Sequence, residues 1–158
     1  GTPNAAAQSA PAAPNPAIAR ACAARTGAAD GARPLQLYTQ VYDEASRQLA
    51  RTLRRQLQQA AGDAVQVAPV EDVTRSASLR GTRRPVPWPH PTFVLHGAAE
   101  RTCAQALRPL IQKAWSVPGR KPVEVWIRQL PEEAGTTERV LELWLPRRED
   151  ASRSVDFW

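Results

Sequence analysis

Between Leu35 and Leu145 the apolar residues switch back and forth between a strand-like repeat and a helix-like one. That switching constrains the fold more than any other feature of the chain. Leu35 to Tyr42 alternates at period two, Leu49, Leu53 and Leu57 recur at helical spacing, and Val65-Gln-Val67 returns to period two. The cycle repeats with Thr92 to His96, a helical run through Cys103, Leu107 and Leu110, and a strand-like Val123 to Ile127. Two β-α-β passes closed by a strand at Val140–Leu145 predict an α/β domain of the α+β sandwich type. Its order is βαββαβ-like with an added C-terminal hairpin strand, and two helices pack on one sheet.

The pattern covers residues 34–148, which are expected to form the compact domain. Residues 1–33 read as a flexible tether: eighteen of them are Ala or Pro, and Ile18 is the only large apolar side chain. Such a segment buries too little surface to offset its chain entropy. A short helix around residues 17–24 would have only Ile18 and Cys22 to dock with. Residues 149–158 read as a tail. The sequence holds no Met, so an excised domain or a processed, mature form is expected. No apolar run reaches the length of a membrane span, and no signal peptide stands at the start.

The first helix is expected over about Ala45–Ala60, capped by Asp43 and stopped by Gly62. Leu49, Leu53, Leu57 and Ala60 would form its buried stripe, with Arg47, Arg51, Arg54 and Arg55 on a solvated ridge opposite. The second, about Ala98–Trp115, would bury Ala99, Cys103, Ala106, Leu107, Leu110 and Ala114. Pro109 should kink it, or divide it into two short helices meeting at Arg108, with Trp115 covering an edge of the core. A turn centred on Gly135 would make the last two strands a hairpin. Trp126 then faces Trp144, Arg128 faces Glu142 and Leu130 faces Val140, compatible pairs throughout.

Chemistry is sparse. No nucleophile-elbow, phosphate-loop, dinucleotide or zinc-protease motif occurs, so no cofactor and no enzymatic activity are expected. The acidic neighbours Asp43-Glu44, Glu71-Asp72 and Glu132-Glu133 point to different faces and suit a cap, a strand end and a turn. His96 ends a predicted strand, where catalytic groups of α/β folds often sit, yet it stands alone. Cys22 and Cys103 are far apart and have only His90 and His96 to join them, which argues against a metal site. One disulfide between them, or a buried thiol at Cys103 and a mobile one at Cys22, are both open readings.

The net charge of +6 comes from 21 Lys and Arg against 15 Asp and Glu, and 19 of the 21 are Arg. An Arg-rich, Ala-rich and Pro-rich composition is also what a GC-rich genome writes, so charge alone does not name an anionic partner. Residues 73–92 keep no period and are long enough to be functional. Arg80, Arg83, Arg84 and Trp88 lie in this stretch and form the candidate ligand-binding set. Arginines offer forked donors to anions and the indole a flat apolar face to a sugar or base. The competing reading makes Trp88 a plug that pins the loop to the domain. Alternating prolines from Pro85 to Pro91 favour an extended path.

The matched positions Leu37, Val41, Leu53, Leu57, Gly62, Val65, Val67, Val94 to His96, Ala106, Leu107 and Leu110 carry a resemblance. Over residues 35–130 the order of elements resembles the C-terminal domain of LytR-type cell-envelope proteins. More distantly it resembles the sporulation-related repeat that binds cell-wall glycan. Here Asp43-Glu44 replaces the Asn-Gly turn common after that family's first strand, and the middle loop is longer and proline-rich. The resemblance implies a non-catalytic, periplasmic or extracytoplasmic bacterial module whose partner is cell-wall glycan or an envelope protein. It assigns no site residue. Two other readings stand beside it: a nucleic-acid-binding domain using the Arg-rich loop, and a secreted inhibitor or immunity-type protein.

Overall fold

The computed structural model describes residues 13–23, 33–131 and 139–153. Among them, five α-helices and a six-stranded mixed sheet form an α+β sandwich. The elements are α1 (Pro16–Cys22), β1 (Leu35–Val41), α2 (Glu44–Ala61), β2 (Val65–Val67), β3 (Glu71–Asp72), α3 (Val73–Arg80), β4 (Thr92–Leu95), α4 (Arg101–Trp115), β5 (Trp126–Gln129), β6 (Val140–Leu145) and α5 (Arg148–Arg153).

Both β-α-β passes form. β2 and β3 each pair in parallel with β1, on successive stretches of it. Pro69 lies between the two strands and has no amide proton to offer a ladder, which suits a break there. β5 pairs in parallel with β4. The two units meet through β6, which runs parallel to β1 and antiparallel to β4, giving the order β2-β1-β6-β4-β5.

The last strand is therefore not the outer arm of a hairpin with β5. Thr92 is in register with Trp126 on one side and Trp144 on the other, and Val94 stands likewise between Arg128 and Glu142. These two expected pairs each lie on one row of the sheet with a residue of β4 inserted between their members, while Leu130, expected opposite Val140, lies beyond the end of β5. All four residues of β4 are buried. A strand apolar on both faces belongs at the centre of a sheet, where it is flanked on both edges. Glu142 takes His96 as its partner instead, Nε2 to Oε2 at 2.5 Å, and the Arg128 guanidinium lies over the Trp126 ring at 4.3 Å. The turn at Gly135 lies outside the described residues, as do Glu132 and Glu133.

The core fills the space between one sheet face and the helices. α2 buries Ser46, Ala50, Leu53, Leu57 and Ala61, while Leu49 is 40% exposed; the buried stripe is shifted round the helix from the expected one. Asp43 caps it by accepting from the Ser46 amide at 2.7 Å. α4 is one unbroken helix through Pro109, whose ring faces outward. The proline removes the bond to the Gln105 carbonyl, and Gln105 is exposed to water that can replace it. Trp115 does not cover an edge: it is 1% exposed and belongs to the core.

The tether reading fails for residues 13–23. α1 is a docked helix in which Ile18 and Cys22 are buried. Asn15 caps it and Pro16 opens it, a combination favoured at helix starts. Cys22 is disulfide-bonded to Cys103 of α4. The Asn15 amide donates to the Ala60 carbonyl at 2.8 Å. At Gly62, with φ of 60°, a β-carbon would stand 2.9 Å from Pro14, so glycine serves both the helix stop and the approach of this segment. A short helix with two apolar residues holds because covalent and main-chain bonds fix it to the core. The rest of the tether lies outside the described residues. At the other end α5 extends the compact part to residue 153, with Ala151 buried, so the tail is shorter than expected.

Candidate functional site

β1, β3 and β6 all end on the same side of the sheet, and the chain enters β4 there. In open α/β sheets, ligands bind outside such carboxyl ends. A groove of about 620 Å³ lies at this place. Tyr42 and Asp43 follow β1, Thr74 lies in the first turn of α3, and Pro146 and Arg147 follow β6; Asp150 comes from α5. The remaining wall is the proline-rich loop, through Arg84, Pro85, Pro87, Trp88 and Pro89.

Local sequence sets that wall. Gly81, with φ of 67°, ends α3, its amide bonding back to Ser78. The prolines then hold the chain extended until His90. Here the loop is fastened: His90 is 1% exposed, its ring 4.5 Å from Trp126, and its carbonyl accepts from the Thr92 hydroxyl at 2.8 Å. Burial lowers the His90 pKa below its usual value, a displacement that Arg128 reinforces and Glu124 opposes. The loop is thus pinned by a neutral imidazole, and Trp88 stays half-buried on the groove.

On the floor, Tyr42 packs against Trp144 with ring centroids 6.0 Å apart. Burial pushes its phenol up to about 12, the Trp88 main chain pulling the other way. It is therefore a neutral hydroxyl at every physiological pH. Asp43, besides capping α2, pairs with Arg147 at 3.4 Å. Arg84 is exposed on the rim. The groove offers forked cationic donors, carboxylates and a Trp-Pro wall. That suits a ligand with an anionic group and a flat apolar face.

Of the four residues expected to bind, the groove brings together Arg84 and Trp88. Arg80 instead faces Glu71 at 3.7 Å, and Arg83 is exposed outside the groove lining. Sequence reasoning missed Tyr42, Asp43, Thr74, Pro146, Arg147 and Asp150. The available signal was that Tyr42-Asp43 and Pro146-Arg147 each follow an apolar strand directly; only their parallel pairing makes them neighbours. Among the described residues no cluster of His, Cys, Asp or Glu could hold a metal ion, and no helix is long and apolar enough to cross a membrane.

No protein-family model, curated protein or solved structure matches this chain.

Proposed function

We propose that this chain is a non-catalytic binding module of a bacterial envelope, acting outside the cytoplasm and taking cell-wall glycan in the groove beside Trp88. The observation that carries the reading is that Arg84 and Trp88 share one wall of a groove at the carboxyl ends of parallel strands. A sugar ring stacks on an indole, and a peptide-borne or sugar-borne carboxylate pairs with a guanidinium. The Cys22–Cys103 disulfide supports an oxidising compartment. That bond also withdraws Cys103 as a nucleophile, and both histidines are engaged, by Glu142 and by Trp126. The nucleic-acid reading draws less support, because Arg80 faces Glu71 and Arg54 is turned to main-chain carbonyls.

Retention on purified cell wall tests the proposal. The Trp88→Ala and Arg84→Ser variants should each lose retention at least about tenfold, the loss of one good contact of about 1.4 kcal/mol, with little change in melting temperature. Undiminished retention in both rejects the groove. Steeply salt-dependent binding to single-stranded DNA, without retention on wall, would replace the glycan by nucleic acid.

A further inference from the structure

The two edges of the sheet are finished differently. On the β2 edge, α2 supplies a substitute for a neighbouring strand. Gln58 donates to the Val65 carbonyl at 2.7 Å and accepts from the Val67 amide at 2.9 Å. Arg54 donates to the Val67 carbonyl from Nε and Nη2, at 3.0 and 2.9 Å, and to the Ala68 carbonyl at 3.0 Å. That edge is closed to another chain.

The β5 edge has no such cover among the described residues. Trp126 and Leu130 donate to the Pro91 and Leu95 carbonyls on the β4 side. In a parallel ladder the alternate residues Ile127 and Gln129 then turn their main-chain groups outward. Apart from Arg128 Nη1 at 3.4 Å from the Ile127 carbonyl, those groups meet no protein partner among the described residues.

We propose that β5 is the seam of a two-fold dimer, in which a second copy of this chain adds its own β5 antiparallel to the first. Which groups point outward fixes the phase of the pairing, and one register in phase centres on Ile127. With Ile127 opposite Ile127 of the other copy, both residues exchange main-chain bonds, and Val125 does so with Gln129. Trp126 then faces Arg128 across the seam, repeating the cation-aromatic contact made within one chain at 4.3 Å. Glu124, which is exposed, lies diagonal to the same Arg128, so the seam carries opposite charges in reach of one another. Shifting the second copy one way sets Arg128 against Arg128 and is disfavoured; shifting it the other way sets Trp126 against Trp126 and Arg128 opposite Glu124, so both remaining registers join Arg128 to Glu124 across the seam. Because β2 is sealed, pairing stops at two copies and does not propagate into a fibre. A four-residue strand makes a small seam, so the association is weak and concentration-dependent.

Analytical ultracentrifugation of the whole chain should show a mass rising toward twice the monomer as concentration increases. Gln129→Pro removes one outward amide and leaves the bonds to β4 intact, as prolines on edge strands do. It should remain monomeric with an unchanged circular dichroism spectrum. Arg128→Glu, which puts like charge beside Glu124 of the other copy, should also dissociate the dimer. A parent protein that is monomeric at its highest soluble concentration overturns the proposal. A dimer that survives both substitutions overturns it as well, since it must use another surface.

Discussion

The Trp115 indole donates to the Pro146 carbonyl at 2.7 Å, joining the end of α4 to the residue that follows β6. Both partners are buried, and Pro146 lines the groove. The bond therefore fixes part of the groove floor from inside the core. Trp115→Phe should destabilise the protein by about 1–3 kcal/mol for the orphaned carbonyl alone, with a further cost for lost volume. Urea denaturation measures it; a change below about 0.5 kcal/mol, the scale of an ordinary surface substitution, would show that water replaces the indole.

Arg54 and its neighbours on α2 separate a structural arginine from solvated ones. Arg54 bonds the main chain of Val67 and Ala68, whereas Arg51 and Arg55 are exposed and hydrogen-bond side chains of their own helix, Gln48 and Thr52. Hydrogen bonds to a charged group contribute about 1.5–3 kcal/mol, so Arg54→Ala should cost about that much. Arg51→Ala and Arg55→Ala should stay within about 0.5 kcal/mol. Equal midpoints for the three variants would contradict the assignment.

The Cys22–Cys103 disulfide spans 81 residues. Closing so long a loop stabilises a protein by about 4–5 kcal/mol in the chain-entropy model. The double variant Cys22→Ser, Cys103→Ser should lose stability toward that figure, and less if only α1 is released. Denaturation of the two proteins without reductant reads the difference. Identical midpoints would mean that the bond constrains nothing in the unfolded chain.

Tyr42 gives the protein an alkaline limit. Its folded pKa of about 12 lies above the ordinary 10.0, because burial favours the neutral phenol. The unfolded chain then releases its proton first, so the stabilising contribution is complete below about pH 10 and is lost as pH rises toward 12. Stability measured across that interval should fall less steeply in Tyr42→Phe than in the parent. Parallel slopes would show that Tyr42 titrates normally.

Much of the site could not be read from the chain. Arg84 and Trp88 were visible because an irregular, proline-rich segment stands out between periodic ones. Tyr42, Asp43 and Arg147 were not, because their proximity depends on β6 lying parallel beside β1. Arg54 reads with the solvated ridge of Arg47, Arg51 and Arg55, although three residues before Leu57 it stands at the border of the buried stripe. Nothing local announces that the edge of β2 stands within its reach.

Sequence alone determined the periodic elements of the core and which residues share a sheet face, since both follow from repeats of two and 3.6 residues. It did not make Trp126 a neighbour of Trp144, or Arg128 of Glu142, because alternation along a strand sets the face each residue takes and not the strand that lies beside it. Tertiary structure decided which strand lies between them. β4 is apolar on both faces and requires neighbours on both edges, so it enters between β5 and β6 and displaces the hairpin. The same non-local pairing brought the ends of β1, β3 and β6 together as the groove, and the disulfide turned an Ala-rich and Pro-rich segment into a docked helix. Short-range patterns specify conformation residue by residue, but neighbours in a sheet are chosen by burial of the whole domain.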